Sequence, residues 1–194
     1  MFHHISEEPS YLMGEQTALL IIDMQIDSFE VPGNPTYREA ELLANIGELL
    51  RKAHAAGTPV IYIQHQEQSG PLTAGTRGWE ILPAIAPVEG DLVVPKYAED
   101  SFLATTLEDE LHARNITHLV ICGSRSDFCV DTTCRSAISH GFDVTLVSDA
   151  HSTINRKVLP AELIVAHHNA TLNGFGPAWR HIVVKPTCEI VFAQ

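Results

Sequence analysis

Cysteine is scarce and scattered. Four are present, at 122, 129, 134 and 188, with no CxxC pair among them. That argues against a disulfide scaffold and against a cysteine-based zinc site. Long apolar runs are also missing, and none approaches the ~18 residues that a membrane-spanning helix needs. The opening Met1-Phe-His-His-Ile-Ser-Glu-Glu-Pro9 lacks the basic region and apolar stretch of a secretory signal. The expectation is therefore a cytoplasmic protein. Positive charge is in short supply, with 12 Lys and Arg against 24 Asp and Glu for a formal net charge of −12. Nucleic acid and anionic membrane are thereby disfavoured as partners. No internal repeat, linker or low-complexity tract interrupts the chain.

What is there reads as an ordinary globular chain. At 194 residues, 45% hydrophobic and 19% charged, it is the size of one domain with a core able to fold unaided. Residues 1–16 are polar and irregular and read as an N-terminal arm, leaving 17–194 as the domain. Thr17-Ala-Leu-Leu-Ile-Ile-Asp23 is a continuous apolar run ending in a carboxylate, the pattern of a parallel strand buried on both faces. Thr36-Tyr-Arg-Glu39 has the spacing of a capping box. Apolar residues from Leu42 to Ala53 then recur at helical spacing until Gly57. Further strands read at Pro59–Gln64, Asp91–Lys96, Thr117–Cys122 and Phe142–Asp149, with a last one near Ile182 and a strand or extension near Glu189. Helices read from Thr105, where a second capping-box pattern stands, over Asp127–His140, and over Pro160–Leu172 with Leu163, Ile164 and His167 on one side. Residues 66–91 are rich in Gly, Pro and Thr and form the longest irregular segment, the kind that is usually functional or mobile. Strands alternating with helices predict an α/β class: a single three-layer α/β/α domain, Rossmann-like, on a mostly parallel sheet of about six strands.

In such sheets ligands sit outside the carboxyl ends of the strands, at a switch point in strand order. The polar residues at those ends are Asp23, Gln64 with His65, Lys96, the elbow before Cys129, and Asp149 with His151. The elbow is the most telling. The run Leu119-Val-Ile-Cys-Gly123 breaks into Ser-Arg-Ser-Asp-Phe, and Cys129 opens the next helix. Backbone N–H groups and the helix dipole there favour thiolate over thiol. A cysteine can attack a carbonyl carbon once its proton is removed. A carboxylate beside it can take that proton and return it to a leaving amine. A lysine would keep the carboxylate ionised, and elbow N–H groups would stabilise an oxyanion. Taken singly, Asp23 also fits a loop cap, Lys96 a solvated surface residue, and Cys129 a buried structural thiol. Their joint placement raises the chemical reading.

Three segments resemble the isochorismatase-like cysteine hydrolases, the superfamily of nicotinamidases and N-carbamoylsarcosine amidases. Ala18-Leu-Leu-Ile-Ile-Asp-Met-Gln25 is similar to the first-strand motif that carries its catalytic aspartate. Val94-Pro-Lys96 is similar to its lysine motif, and Cys122-Gly-Ser-Arg-Ser-Asp-Phe-Cys-Val130 to its nucleophile motif. The resemblance implies a triad of Asp23, Lys96 and Cys129. It also implies a cis peptide at Ser124–Arg125 and an oxyanion hole from the backbone N–H groups of Arg125 and Cys129. The function implied is hydrolysis of a C–N bond in a small-molecule amide or carbamoyl substrate through a covalent thioester. Homodimers or homotetramers are implied too.

This chain departs from the metal-dependent nicotinamidases. Gln64-His65-Gln66-Glu67 stands where they carry Asp-x-His, so no metal and no other cofactor is expected. Arg125 occupies a position that is usually small or apolar; its side chain either points away, the reading favoured here, or meets an anionic substrate group. Phe29, His65, Trp79, Tyr97 and Phe128 are the pocket candidates by nearness to the motifs, with Trp79 placed on the long loop to cover the site of its own chain or of a neighbouring subunit. Two alternatives stand beside amide hydrolysis. Vinyl ether hydrolysis of the isochorismatase type needs no cysteine nucleophile, and a non-catalytic binding protein needs no triad. A thiol-redox role is weakened by the lack of a second cysteine at CxxC spacing.

Overall fold

The computed structural model describes residues 16–193. The expected arm lies outside the described residues except for Gln16, whose carbonyl accepts from the N–H groups of Thr117 and His118 at 2.9 and 3.2 Å. Six strands form one sheet: Thr17–Ile22 (β1), Val60–His65 (β2), Leu92–Lys96 (β3), His118–Ser124 (β4), Asp143–Ser152 (β5) and Ile182–Lys185 (β6). Their order is β3-β2-β1-β4-β5-β6, and every neighbouring pair is parallel. The helices are Ile26–Phe29 (α1), Glu39–Ala56 (α2), Leu107–Ala113 (α3), Asp131–Ser139 (α4) and Ala161–Leu172 (α5). The result is the three-layer α/β domain that the alternating pattern implies. No helix among the described residues is long and apolar enough to cross a membrane.

β1 shows why the sheet is central. Ala18, Leu20 and Ile22 face one apolar cluster, Leu19 and Ile21 the other, and all five are fully buried. Strand alternation with both faces covered is what a continuous apolar run encodes. α2 covers one face with Leu42, Ile46, Leu49 and Ala53. α3 and α4 cover the other with Leu107, Leu111, Cys134 and Ala137. Each buried Leu or Ile contributes about 1.5–3 kcal/mol relative to exposure. Gly57 ends α2 in the left-handed region (φ +69), its N–H on the carbonyls of Ala53 and His54.

Local details depart from the sequence reading. Neither capping box forms: Thr36 Oγ1 donates to the Ser28 carbonyl instead, and α2 starts after Arg38. Thr105 Oγ1 accepts from Leu107 N–H and donates to the Ser101 carbonyl, with no return contact from Glu108. Leu163 is 53% exposed while its neighbour Ile164 is buried, so the inward stripe of α5 is displaced by one residue. The segment near Glu189 is a 3-10 turn, Thr187–Glu189, rather than a strand, and Cys188 on it is exposed.

Candidate active site

Strand order places the site. The chain leaves β1 towards β2 on one side, and β4 continues the sheet on the other, so the switch point falls between β1 and β4. A crevice opens at the carboxyl ends of such a pair. β1 and β4 approach closely there. A Cβ on Gly123 would stand 2.2 Å from the Ile22 carbonyl oxygen, and the Gly123 φ is +126, so only glycine fits. The Ser124–Arg125 peptide that follows is cis.

Asp23 leaves β1 in the left-handed region (φ +48) and is buried. Lys96 ends β3, two strands away, and its side chain is fully buried. Strands lie ~4.8 Å apart, so the gap to be bridged is roughly 10 Å, which calls for the longest side chains. Lys96 crosses the end of β2, passing 3.4 Å from His65 Nδ1 and donating to the Ala98 carbonyl at 2.8 Å. Its Nζ stands 2.8 Å from Asp23 Oδ2. That contact is a buried ion pair, and Lys96 and Cys129 are both within hydrogen-bonding reach of the Asp23 carboxylate. The Cys129 thiol interacts with Asp23 and Lys96 alike. Burial pushes the Asp23 carboxyl above its ordinary range, with Lys96 offsetting only part. Burial alone would depress the Lys96 ammonium, but the carboxylate beside it holds it above the ordinary lysine value.

Cys129 does not open an α-helix. It lies on a π-type turn, Ser126–Val130, whose Val130 N–H reaches back to the Arg125 carbonyl at 3.2 Å, and α4 follows. π-turns of this kind recur at functional sites. The expectation of a thiol biased towards thiolate is corrected here. Burial first, and the Asp23 carboxylate second, push the Cys129 thiol up to about 12, with Lys96 offsetting only part. The resting cysteine is a protonated thiol beside a base.

Cys129, Asp23, His65, Arg125 and Phe128 line one pocket of about 300 Å³, rimmed by Asp27, Glu67 and Glu99. Of the expected pocket residues, His65 and Phe128 are there, and three are not. Phe29 packs into the α2-side core, where it is 8% exposed. Tyr97 points to solvent, 63% exposed. Trp79 does not cover the site; its carbonyl accepts from the side chains of Gln25 and Gln64 at 2.9 Å each, pinning the long loop to the sheet end. Arg125 departs from the reading favoured for it, since its Nη2 lies 3.4 Å from the carbonyl of Ser28, another residue of the pocket lining. Among the described residues no group of three or more His, Cys, Asp or Glu is placed to hold a metal ion.

Two supporting networks involve Gln25 and His151, which the sequence places in a motif and at a strand end without giving either a job. Gln25, fully buried, donates to the His65 carbonyl and accepts from the His65 N–H, both at 2.8 Å, so the end of β2 is held from both sides. Its place two residues after Asp23 was the only signal. Behind the nucleophile turn, Ser126 Oγ donates to His151 Nδ1 at 2.7 Å, and His151 Nε2 donates to Asn169 Oδ1 at 2.9 Å. Asn169 Nδ2 donates to the Ser148 carbonyl, which settles the amide orientation and hence the imidazole tautomer. Burial holds His151 neutral, with its pKa down to about 4. The motif's Asp127 is tied in turn to Thr153 and Arg156.

A three-layer parallel α/β domain thus brings Cys129, Asp23 and Lys96 together at the switch point of its sheet. Residues 17–171 match the model of the isochorismatase domain, and the chain belongs to the isochorismatase family. It is 34% identical to an uncharacterised isochorismatase family protein of Bacillus subtilis, over 81% of this chain and 92% of that one. It is 35% identical to streptothricin hydrolase of Streptomyces noursei, over 74% of this chain but 57% of that longer protein. It is 28% identical to ureidoacrylate amidohydrolase of Variovorax paradoxus, over 74% of this chain and 71% of the other. Among solved structures, an isochorismatase of Pseudomonas putida superposes with a TM-score of 0.80 at 29% identity, over 91% of this chain and 90% of that chain. The chain is a hydrolase by this membership.

Proposed function

We propose that the protein hydrolyses a C–N bond of a small amide or carbamoyl compound, with Cys129 as nucleophile, Asp23 as acid and base, and Lys96 as its orienting partner. The observation that carries this is the setting of Asp23: buried, ion-paired to Lys96 and within hydrogen-bonding reach of the Cys129 thiol. Asp23 takes the Sγ proton as sulfur bonds to the carbonyl carbon. It gives that proton to the nitrogen as the C–N bond breaks, which leaves a thioester. Water then yields a proton to Asp23, its oxygen attacks the thioester carbon, the S–C bond breaks and the proton returns to sulfur. The backbone N–H groups of Arg125 and Cys129 stabilise the oxyanion in both halves. Two relatives are named as hydrolases, one an amidohydrolase, which supports this reaction class. The site needs no cofactor for it, and acidic surface charge fits a small-molecule substrate over nucleic acid or membrane.

The test is a screen of primary amides, ureides and carbamoyl compounds for ammonia release. The expected result is turnover of at least one compound by the wild type and none by Cys129→Ala. Retained ammonia release in that variant removes the nucleophile from the account. Vinyl ether hydrolysis, assayed on isochorismate, is expected to be absent.

A further inference from the structure

We infer that the Arg125 side chain is the receptor for a carboxylate on the substrate, so that the site takes small amides or ureides carrying a carboxylate at their far end. This rests on the amide-hydrolase reading above. The pocket holds two guanidinium groups, and they are not equivalent. Arg156 is already neutralised: its Nε stands 2.8 Å from Asp127 Oδ2, and its Cζ lies 4.7 Å from the centre of the Phe128 ring. Arg125 has no such partner. Among the described residues no carboxylate lies within ion-pairing distance of it, and its single hydrogen bond is a long one, 3.4 Å from Nη2 to the Ser28 carbonyl.

A guanidinium with five N–H donors and one weak protein acceptor keeps donors free for a ligand. Burial and the neighbouring Arg156 both disfavour its charge, while Asp127, Asp27 and Cys129 return only part of what is lost. An incoming carboxylate would satisfy it, two parallel N–H···O bonds being the geometry that guanidinium offers. Glu67 and Glu99, elsewhere on the pocket wall, repel an anion placed near them. The anionic end is therefore confined to Arg125. Arg125 is also part of the elbow, next after Ser124, so its backbone stands at the reacting end while its side chain reaches towards α1. One residue thus sets the spacing between the carbonyl to be attacked and the anion to be held.

The first measurement alkylates Cys129 with iodoacetate and with iodoacetamide, reagents of like size that differ by one charge. In both, sulfur bonds to the methylene carbon, the C–I bond breaks, iodide leaves and the thiol proton passes to Asp23. Peptide mass mapping gives the two rates for the wild type and for Arg125→Gln. The iodoacetate-to-iodoacetamide ratio is expected to fall about tenfold to a hundredfold in the variant. An unchanged ratio overturns the assignment. The second measurement needs no reactive thiol. Cys129→Ala protein is titrated calorimetrically with succinamate and with succinamide. Succinamate is expected to bind at least about tenfold tighter, and adding Arg125→Gln to erase the difference. Equal binding, no binding of succinamate at millimolar concentration, or a preference that survives Arg125→Gln overturns it. Selective binding without ammonia release by the wild type leaves the receptor standing and removes only the amidase.

Discussion

Replacing Asp23 by Asn is expected to move two properties of Cys129 in opposite directions. In the wild type the thiol is pushed up to about 12 from 9.0, which makes free thiolate about 4 kcal/mol harder to form than in an ordinary cysteine. At neutral pH free thiolate is a minor species. Attack therefore depends on passing the proton directly to Asp23. Asn at position 23 removes the acceptor, and ammonia release is expected to fall about a hundredfold to ten-thousandfold. It also removes a negative charge within hydrogen-bonding reach of sulfur. At roughly 4 Å and an effective dielectric of about 20, that charge is worth up to about 4 kcal/mol, or about three pH units. Burial, the larger cause, stays, so the titration is expected to drop by about one to three units. The assay is the pH dependence of iodoacetamide alkylation at Cys129, read by mass spectrometry beside ammonia release. Lys96 loses its counter-ion, which costs about 3–5 kcal/mol of stability, so a thermal melt accompanies it. Lys96→Gln is the counterpart and is expected to raise the thiol further. A titration unchanged or raised in Asp23→Asn, or turnover that survives it, would refute the reasoning.

Other outcomes follow from the same geometry. His151 titrates near 4 in the fold against 6.5 unfolded, so below 6.5 the unfolded chain binds the extra proton. Stability is intact above pH 6.5 and is expected to fall by about 3 kcal/mol as pH drops to about 4. Denaturant melts of His151→Gln should lack that share of the slope, and a slope equal to the wild type's would contradict it. Gly123→Ala forces a methyl to 2.2 Å from the Ile22 carbonyl. It is expected to cost at least about 3 kcal/mol in urea melts, or to prevent folding; a loss under 1 kcal/mol would mean that the strands separate easily. We also propose a homodimer or homotetramer, in keeping with the exposed Trp179 and Val191, 81% and 84% exposed. Light scattering at the 21.3 kDa of one chain would contradict this.

The strand ends were legible before any coordinates because a buried parallel strand writes itself as an apolar run, and a charge that stops it must sit at the edge. Asp23 and Lys96 were found that way, and the elbow before Cys129 by the same logic. The strand order was not legible, since apolar runs carry no record of their neighbours. Pocket walls failed for a related reason. Tyr97 adjoins Lys96 in sequence but lies just past the end of β3, and one is buried in the site while the other is in solvent. Trp79 contributes its backbone carbonyl to the sheet end, a role that no side-chain pattern announces. The thiol was misjudged because its strongest charged neighbour, Asp23, is remote in the chain and close in space. Local helix-end electrostatics was outweighed by burial and that contact.

The central claim is a covalent bond between Cys129 and the acyl group of the substrate. Once a substrate is in hand, the reaction is quenched in acid during turnover and digested, and the peptide bearing Cys129 is weighed. The expected result is a mass gain equal to the acyl fragment on that peptide, absent from Cys129→Ala, whose ammonia release drops by at least about ten-thousandfold. Full ammonia release by Cys129→Ala, or steady turnover with no adduct in either protein and no loss on substitution, would contradict it.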